Sequence, residues 1–401
     1  MIRRWLRRMA IGVAGLVTVL VVSGVALWLA ARPALGTAPT GARLARMQAS
    51  PQWSGTGFGN VRARVDAPPR RMLAGLMFEG SPHSKPDAPI EIVPRRRADY
   101  DTPPAGGLRV TWLGHSTLLL EIDGRRVLID PVWGKFASPF TFMGPRRFFD
   151  PPLPLDQLPP IDVVLISHDH YDHLDMPTIR ALAARDVRFI VPLGVGAHLE
   201  GWGVAPERIT ELDWWDDAQV EGLVRVAAVP ARHFSGRSLN DATRTLWAGF
   251  VIAGPAHRVY YSGDTALDDA MVTIGQMYGP FDLTMIEVGA YSPLWTDVHL
   301  GPEQAVQVHR LVRGEVMLPV HWGMFDLALH GWTEPIERVL VAAAQHGVRV
   351  ATPRPGDRVE PSQVPTARWW PKVPWQTATE SPARSSGVAH LMTNAAVPPP
   401  P

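Results

Sequence analysis

Ser167-His168-Asp169-His170-Tyr171-Asp172-His173 places three imidazoles and two carboxylates in six successive positions, directly after the apolar run 163–166. A short turn leaving a strand lets His168, His170, Asp172 and His173 converge on a small volume. Imidazole and carboxylate together suit zinc and related divalent metals. A lone loop histidine is usually just a polar loop residue. This density beside a β-run is not explained that way.

Working outward, the same geometry repeats. The run 224–229 leads to His233, 258–261 leads to Asp264, and 316–319 leads to His321. Ligands at strand ends can share one edge of a sheet and meet there, where open α/β architectures place their sites. Further strands are expected at 109–112, 117–122, 126–129, 163–166, 188–191, 246–252 and 283–286. Helices are expected at 176–184, 194–201, 266–278, 302–312 and 334–346, three of them with Pro177, Pro302 or Pro335 near the start. Early hairpins followed by strands interleaved with helices argue for packed sheets with outer helices.

The chain has 401 residues, of which 46% are hydrophobic and 19% charged, enough for a sizeable core. A net charge of +1 gives no global field that would favour nucleic acid. With no cysteine, disulfides and thiolate metal sites are excluded, so His and carboxylates must hold any metal. Fifteen tryptophans make apolar partners worth considering.

Arg3, Arg4, Arg7 and Arg8 precede an uncharged apolar stretch at 9–31. About 20 such residues cross a bilayer as a helix, so residues 1–31 read as a membrane anchor, with a cleaved signal sequence as the alternative. The arginine cluster should stay cytoplasmic and the rest of the chain extracytoplasmic, on the periplasmic side. Residues 32–107, rich in Pro, Gly, Ala and Arg, read as a linker and irregular wrapping segment. Trp53, Phe58, Leu76, Met77 and Phe78 are candidates to pin it down. The folded domain is expected at 108–360 and a Pro-rich, largely disordered tail at 361–401, in which Trp369, Trp370 and Trp375 could pack locally.

His168-Asp169-His170-Tyr171-Asp172-His173, with His233, Asp264 and His321, resembles the ligand set of the metallo-β-lactamase superfamily. The likeness is closer to one branch, the N-acylphosphatidylethanolamine-hydrolysing phospholipase D enzymes. It is carried by Thr111-Trp112-Leu113-Gly114-His115-Ser116, Met143-Gly144-Pro145-Arg146-Arg147-Phe148, Glu211-Leu212-Asp213-Trp214-Trp215, Gly289-Ala290-Tyr291 and His321-Trp322-Gly323. The resemblance implies an α/β fold, an αββα sandwich, here with an N-terminal transmembrane helix. It also implies two zinc ions, one on His168, His170 and His233 and the other on Asp172, His173 and His321, with Asp264 bridging. A carboxylate has two oxygens and can bridge, whereas a neutral imidazole offers one lone pair.

The implied activity is hydrolysis of a phospholipid to phosphatidic acid and an N-acylethanolamine. Asp172 and Asp264 serve the metals in it, and His299 is the candidate acid for the leaving group. His115 and Asp130 are expected to orient the ligand loops by hydrogen bonds. Glu287 stands where the family resemblance leads one to expect an apolar residue. Trp133, Trp214, Trp295 and Trp332 are candidates to line an apolar access path. The expected partners are a phospholipid substrate and the membrane, with no nucleic acid; a homodimer is left open. The alternatives are a lactonase, esterase or other phosphodiesterase on the same site, because ligands do not fix substrate, or a non-enzymatic metal-stabilised binding module.

Overall fold

The structure, a computed structural model, describes residues 2–220, 222 and 224–393. Helix α1 (Ile2–Ala31) is followed by α2 (Gly41–Gln48), the small hairpin β1 (Trp53–Ser54) and β2 (Gly57–Phe58), and α3 (Pro69–Phe78). The first half of the domain holds β3 (Leu108–Gly114), β4 (Thr117–Ile122), β5 (Arg125–Ile129), β6 (Val163–Leu165), α4 (Met176–Ala183), β7 (Arg188–Pro192), α5 (Gly196–Gly201) and β8 (Ile209–Leu212). The second half holds β9 (Asp217–Val220), β10 (Val224–Val229), β11 (Gly249–Ala253), β12 (Arg258–Tyr261), α6 (Ala270–Tyr278), β13 (Phe281–Glu287), α7 (Pro302–Leu311), β14 (Gly314–Val320), α8 (Glu334–His346) and β15 (Arg349–Val350). Strand β16 (Arg358–Val359) and helix α9 (Ala389–Thr393) close the described chain.

The strands form two seven-stranded sheets, in the orders β16-β3-β4-β5-β6-β7-β8 and β15-β14-β13-β12-β11-β10-β9. Each is antiparallel in one part and parallel in the other. In the first, β5 to β8 are parallel; in the second, β12 to β15 are. Alternation along β4 shows the layering. Leu118, Leu120 and Ile122 point into the core between the sheets, while Leu119 points outward to the cluster under α4 and α5. Both faces are covered, so all six residues of β4 are buried and Leu118 to Leu120 are apolar in succession, while Glu121 is buried in a pair with Arg109. Helices α6, α7 and α8 cover the second sheet with Ile274, Val308 and Val339 among their buried residues. The result is the αββα sandwich.

Several helix ends follow from local chemistry. Asp175 caps α4 by accepting from the Thr178 amide. Pro302 sits in the first turn of α7, where its missing N–H costs nothing.

The flanks differ from expectation. Residues 32–107 contain α2, α3 and the β1–β2 hairpin rather than an irregular linker. Phe58 is buried, but Leu76, Met77 and Phe78 are exposed and pin nothing. Residues 361–393 are not a loose tail. Trp369 stacks on Trp322, Gln307 Nε2 donates to the Leu391 carbonyl, and Val388 and Leu391 are buried. The final residues, 394–401, lie outside the described residues.

Candidate metal centre

Both sheets deliver side chains to one edge. The loop after β6 carries His168 to His173, His233 follows β10, Asp264 follows β12 and His321 follows β14. Backbone at this edge is bent hard. His115, Asp130 and His321 have φ of 52°, 40° and 64°, a region that non-glycine residues seldom occupy and that clusters at functional sites. Gly263 (φ 58°) turns the chain into Asp264. A Cβ there would crowd the Ala248 carbonyl at 2.7 Å and Ser167 Cβ at 3.1 Å, so no larger residue fits the turn.

The structure brings all seven candidate ligands together. Asp264 Oδ2 lies centrally, 3.0 Å from His321 Nε2, 3.2 Å from His173 Nε2, 3.7 Å from His168 Nε2 and 3.8 Å from His233 Nε2. On one side, His170 Nδ1 is 2.9 Å from His168 Nε2 and 3.3 Å from His233 Nε2. On the other, Asp172 Oδ2 is 3.2 Å from His321 Nε2 and 3.4 Å from His173 Nε2. A tetrahedral shell with bonds of about 2.0–2.1 Å has donor-to-donor edges of roughly 3.3 Å. These spacings therefore suit two such shells sharing Asp264.

The second nitrogens of His173 and His233 are tied off, which fixes which ring atom faces the centre, whereas His321 Nδ1 is buried without a hydrogen-bond partner. His173 Nδ1 donates to Asp130 Oδ2 at 2.7 Å, and His233 Nδ1 donates to the Val298 carbonyl at 2.7 Å. His173 Nε2 and Asp264 Oδ1 are left buried with no hydrogen-bond partner. A buried ring nitrogen and a buried carboxylate oxygen without partners are what a cation would satisfy.

Electrostatics point the same way. Burial pushes His173 and His321 down, yet Asp264 and the neighbouring carboxylates outweigh it. His173 is raised well above the usual imidazole range and His321 to about 10. Burial would raise Asp172 and Asp264, but His173 and its neighbours hold both well below the usual carboxylate range. Burial lowers His168 and His233, leaving them neutral and able to ligate. The cluster thus draws positive charge to itself, and cations would replace the protons on His173 and His321.

A β-lactamase superfamily domain model matches residues 125–322. The chain is 32% identical to a metal-dependent hydrolase of Methanopyrus kandleri over 223 residues, 54% of this chain and 85% of that one. This chain belongs to the metallo-β-lactamase superfamily. It is 48% identical to an uncharacterized protein of Mycobacterium tuberculosis over 76% of this chain and 82% of that one. It is 37% identical to N-acyl-phosphatidylethanolamine-hydrolyzing phospholipase D 1 of Caenorhabditis elegans, over 55% of this chain and 65% of that one. Among solved structures, Igni18, a metallo hydrolase from Ignicoccus hospitalis, matches the fold with a TM-score of 0.50 at 22% identity, over 63% of this chain and 97% of that one.

The metallo-β-lactamase edge opens into a cavity of about 360 Å³. His170, Asp172, Asp264, His299 and His321 face it, and Met72, Phe234, Trp295, Val298 and Leu327 give it apolar walls. Of the four tryptophans expected along an access path, Trp295 alone lines this cavity. The Trp133 and Trp214 indoles donate instead to the Leu153 and Trp247 carbonyls, and Trp332 is buried.

Other residues sit where sequence did not place them. His115, expected only to orient a loop, has Nε2 2.9 Å from Asp172 Oδ2 and shares one donor group with Asp172, His173 and His321. Glu287 is fully buried, and its Oε2 lies 2.7 Å from His299 Nδ1. Burial and the nearby Asp264 charge push its carboxyl well up. Arg64 and Asp66 reach the cavity from the wrapping segment, with the Arg64 guanidinium 4.7 Å from the Phe234 ring centre. Of these, His115 and Glu287 stand out in the sequence, the first after an apolar run and the second as a charge where an apolar residue is expected; Arg64 and Asp66 do not.

Proposed function

We propose that this chain is a membrane-anchored hydrolase of phospholipase D type. It would cleave N-acylphosphatidylethanolamine-like phospholipids to phosphatidic acid and an N-acylethanolamine. His168, His170 and His233 would hold one zinc ion, Asp172, His173 and His321 the other, and Asp264 both. Zinc bound there supplies Lewis acidity at a phosphoryl oxygen and makes water a competent nucleophile near neutral pH.

The chain's own residues do the rest. The Glu287 carboxyl holds His299 Nδ1, leaving the other ring nitrogen to pass a proton to the departing alcohol. Met72, Phe234, Trp295 and Leu327 offer an apolar seat to the lipid. Helix α1, long and apolar enough to cross a membrane, would keep the cavity beside its substrate and raise the local lipid concentration. The arginines at its start favour an extracytoplasmic domain.

One observation carries the reading: a shared carboxylate oxygen ringed by four imidazoles, at 3.0 to 3.8 Å, on the floor of an apolar-walled cavity. The phospholipase D choice is supported by the likeness to the C. elegans enzyme. The test is metal analysis of full-length protein in lipid nanodiscs, run with assays on N-acylphosphatidylethanolamine, lactones and soluble phosphodiesters. Two equivalents of zinc and release of phosphatidic acid are expected. Faster turnover of lactones than of any phosphodiester would overturn the substrate, and metal-free activity would overturn the site.

A further inference from the structure

The membrane-length helix does not end in a loose tether. Its last residue, Ala31, is buried, as is Ala34. The Pro33 carbonyl accepts from Trp202 Nε1 at 2.8 Å, and the Ala34 carbonyl accepts from Arg237 Nε at 2.8 Å. The Thr37 amide donates to His198 Nδ1 at 3.0 Å. Gly36, at φ 82°, lies so close to that imidazole that a Cβ would overlap the ring. Farther on, Arg43 pairs with Glu200 and Glu211.

Arg237 and His198 are also what hold the loop of candidate ligands from behind. Arg237 Nη1 donates to the carbonyls of Asp169 and Leu174, near the two ends of that loop. Its guanidinium lies 4.0 Å from the Tyr171 ring centre, and the Tyr171 hydroxyl donates to the Arg237 carbonyl. His198 accepts at Nδ1 from Thr37, so its N–H is on Nε2, which faces Asp169 Oδ2 at 3.3 Å. Asp169 also accepts from the Gly236 amide and the Thr245 hydroxyl. Neither Arg237 nor His198 touches a candidate ligand's donor atom. Arg237 acts through Asp169, Tyr171 and Leu174, and His198 through Asp169.

We infer that residues 33–37 form a strap that sets the metal loop, with Arg237 and His198 as positioning residues, so that membrane anchor and metal centre move as one body. The strap begins after Ala31, so a cut at the end of α1 would leave it in place, whereas loss of 32–37 would not. Partners that orient metal ligands change affinity about 10–100-fold when removed.

The inference rests on the metal-ligand reading above. Its test uses full-length protein in detergent micelles, loaded with zinc and then challenged with a chelator. G36V drives the strap off His198, and R237M cuts its link to the loop. Zinc loss should speed up about tenfold or more in both, with partial rescue in R237K. T37P removes a single donor and should give a smaller acceleration; it decides the matter if G36V does not fold. The chain has no cysteine, so A34C reports docking through its labelling rate with a maleimide, slow alone and fast when combined with G36V. A freed thiol with zinc loss still at the parental rate overturns the strap. A parent that holds no zinc defeats the metal reading itself, and neither readout depends on the substrate.

Discussion

The two sheets reach the metal centre by opposite routes. The first contributes one loop, with four candidate ligands in six residues, and other parts of the chain brace it. Asp130 accepts from the Ser167 amide and hydroxyl and from His173, while Arg237 holds Asp169 and Leu174. The second contributes single residues from three strand ends, placed largely by sheet register. The Ser262 amide, for example, donates to the Met285 carbonyl at 3.0 Å, continuing the β12–β13 ladder toward Asp264. A loop rich in donors depends on distant braces; a residue at a strand end carries its positioning with it.

The sharpest test of that contrast is the atom both halves share. D264A should lower hydrolysis on the order of 10³-fold and reduce metal content more than H170A or H321A, each of which touches one side. Metal analysis beside turnover measures it, and a D264A protein with full metal content would remove the bridge. D130A should weaken metal binding about 10–100-fold with the ligands intact, read by chelator competition. If D130A bound metal as the parent does, the first loop would need no brace.

A smaller effect is expected from E287Q. Glutamine can still accept from the Thr265 and Leu300 amides, which donate to Glu287 Oε1. It lacks the acidic proton shared with His299, so kcat should fall about tenfold with metal content unchanged. Loss of metal instead would place Glu287 among the ligands.

The smallest effect lies at the opposite end of the sandwich. There Asp123 joins the sheets by accepting from the Ala256 and His257 amides and pairing with the His257 ring. Burial alone would raise Asp123, but His257 and those amides win and lower it. A depressed carboxyl contributes stability above its unfolded pKa, so this contribution is lost as pH falls through the folded value, below about 4. D123A should cost on the order of 1 kcal/mol at neutral pH and flatten the acid limb of a melting-temperature profile. An unchanged acid limb would show that the contact is idle.

The same contrast explains what was legible in the sequence. Five potential donors in six residues signal a site without any knowledge of the fold. His233, Asp264 and His321 were legible only because each follows an apolar run. His115 follows such a run too, but a single imidazole in a tight β3–β4 turn looks structural until Asp172 is seen beside it. Strands β8, β9, β15 and β16 are hidden because they are short and broken by polar residues, whereas the equally short β6 and β12 are mostly apolar. Helices α2 and α3 were hidden by the Pro, Gly and Arg around them. The packing of 361–393 rests on contacts such as Gln307 with a backbone carbonyl, which composition cannot reveal.

Because the seven donors straddle the seam between the sheets, ions bound there would rivet two layers that otherwise meet through side-chain packing. Ligand binding to the native state adds stability by mass action, about 2.7 kcal/mol at a hundredfold excess over Kd. A chain stripped of its ions would then lose this share of its stability, and should unfold, or be cut by a protease, sooner than the loaded chain.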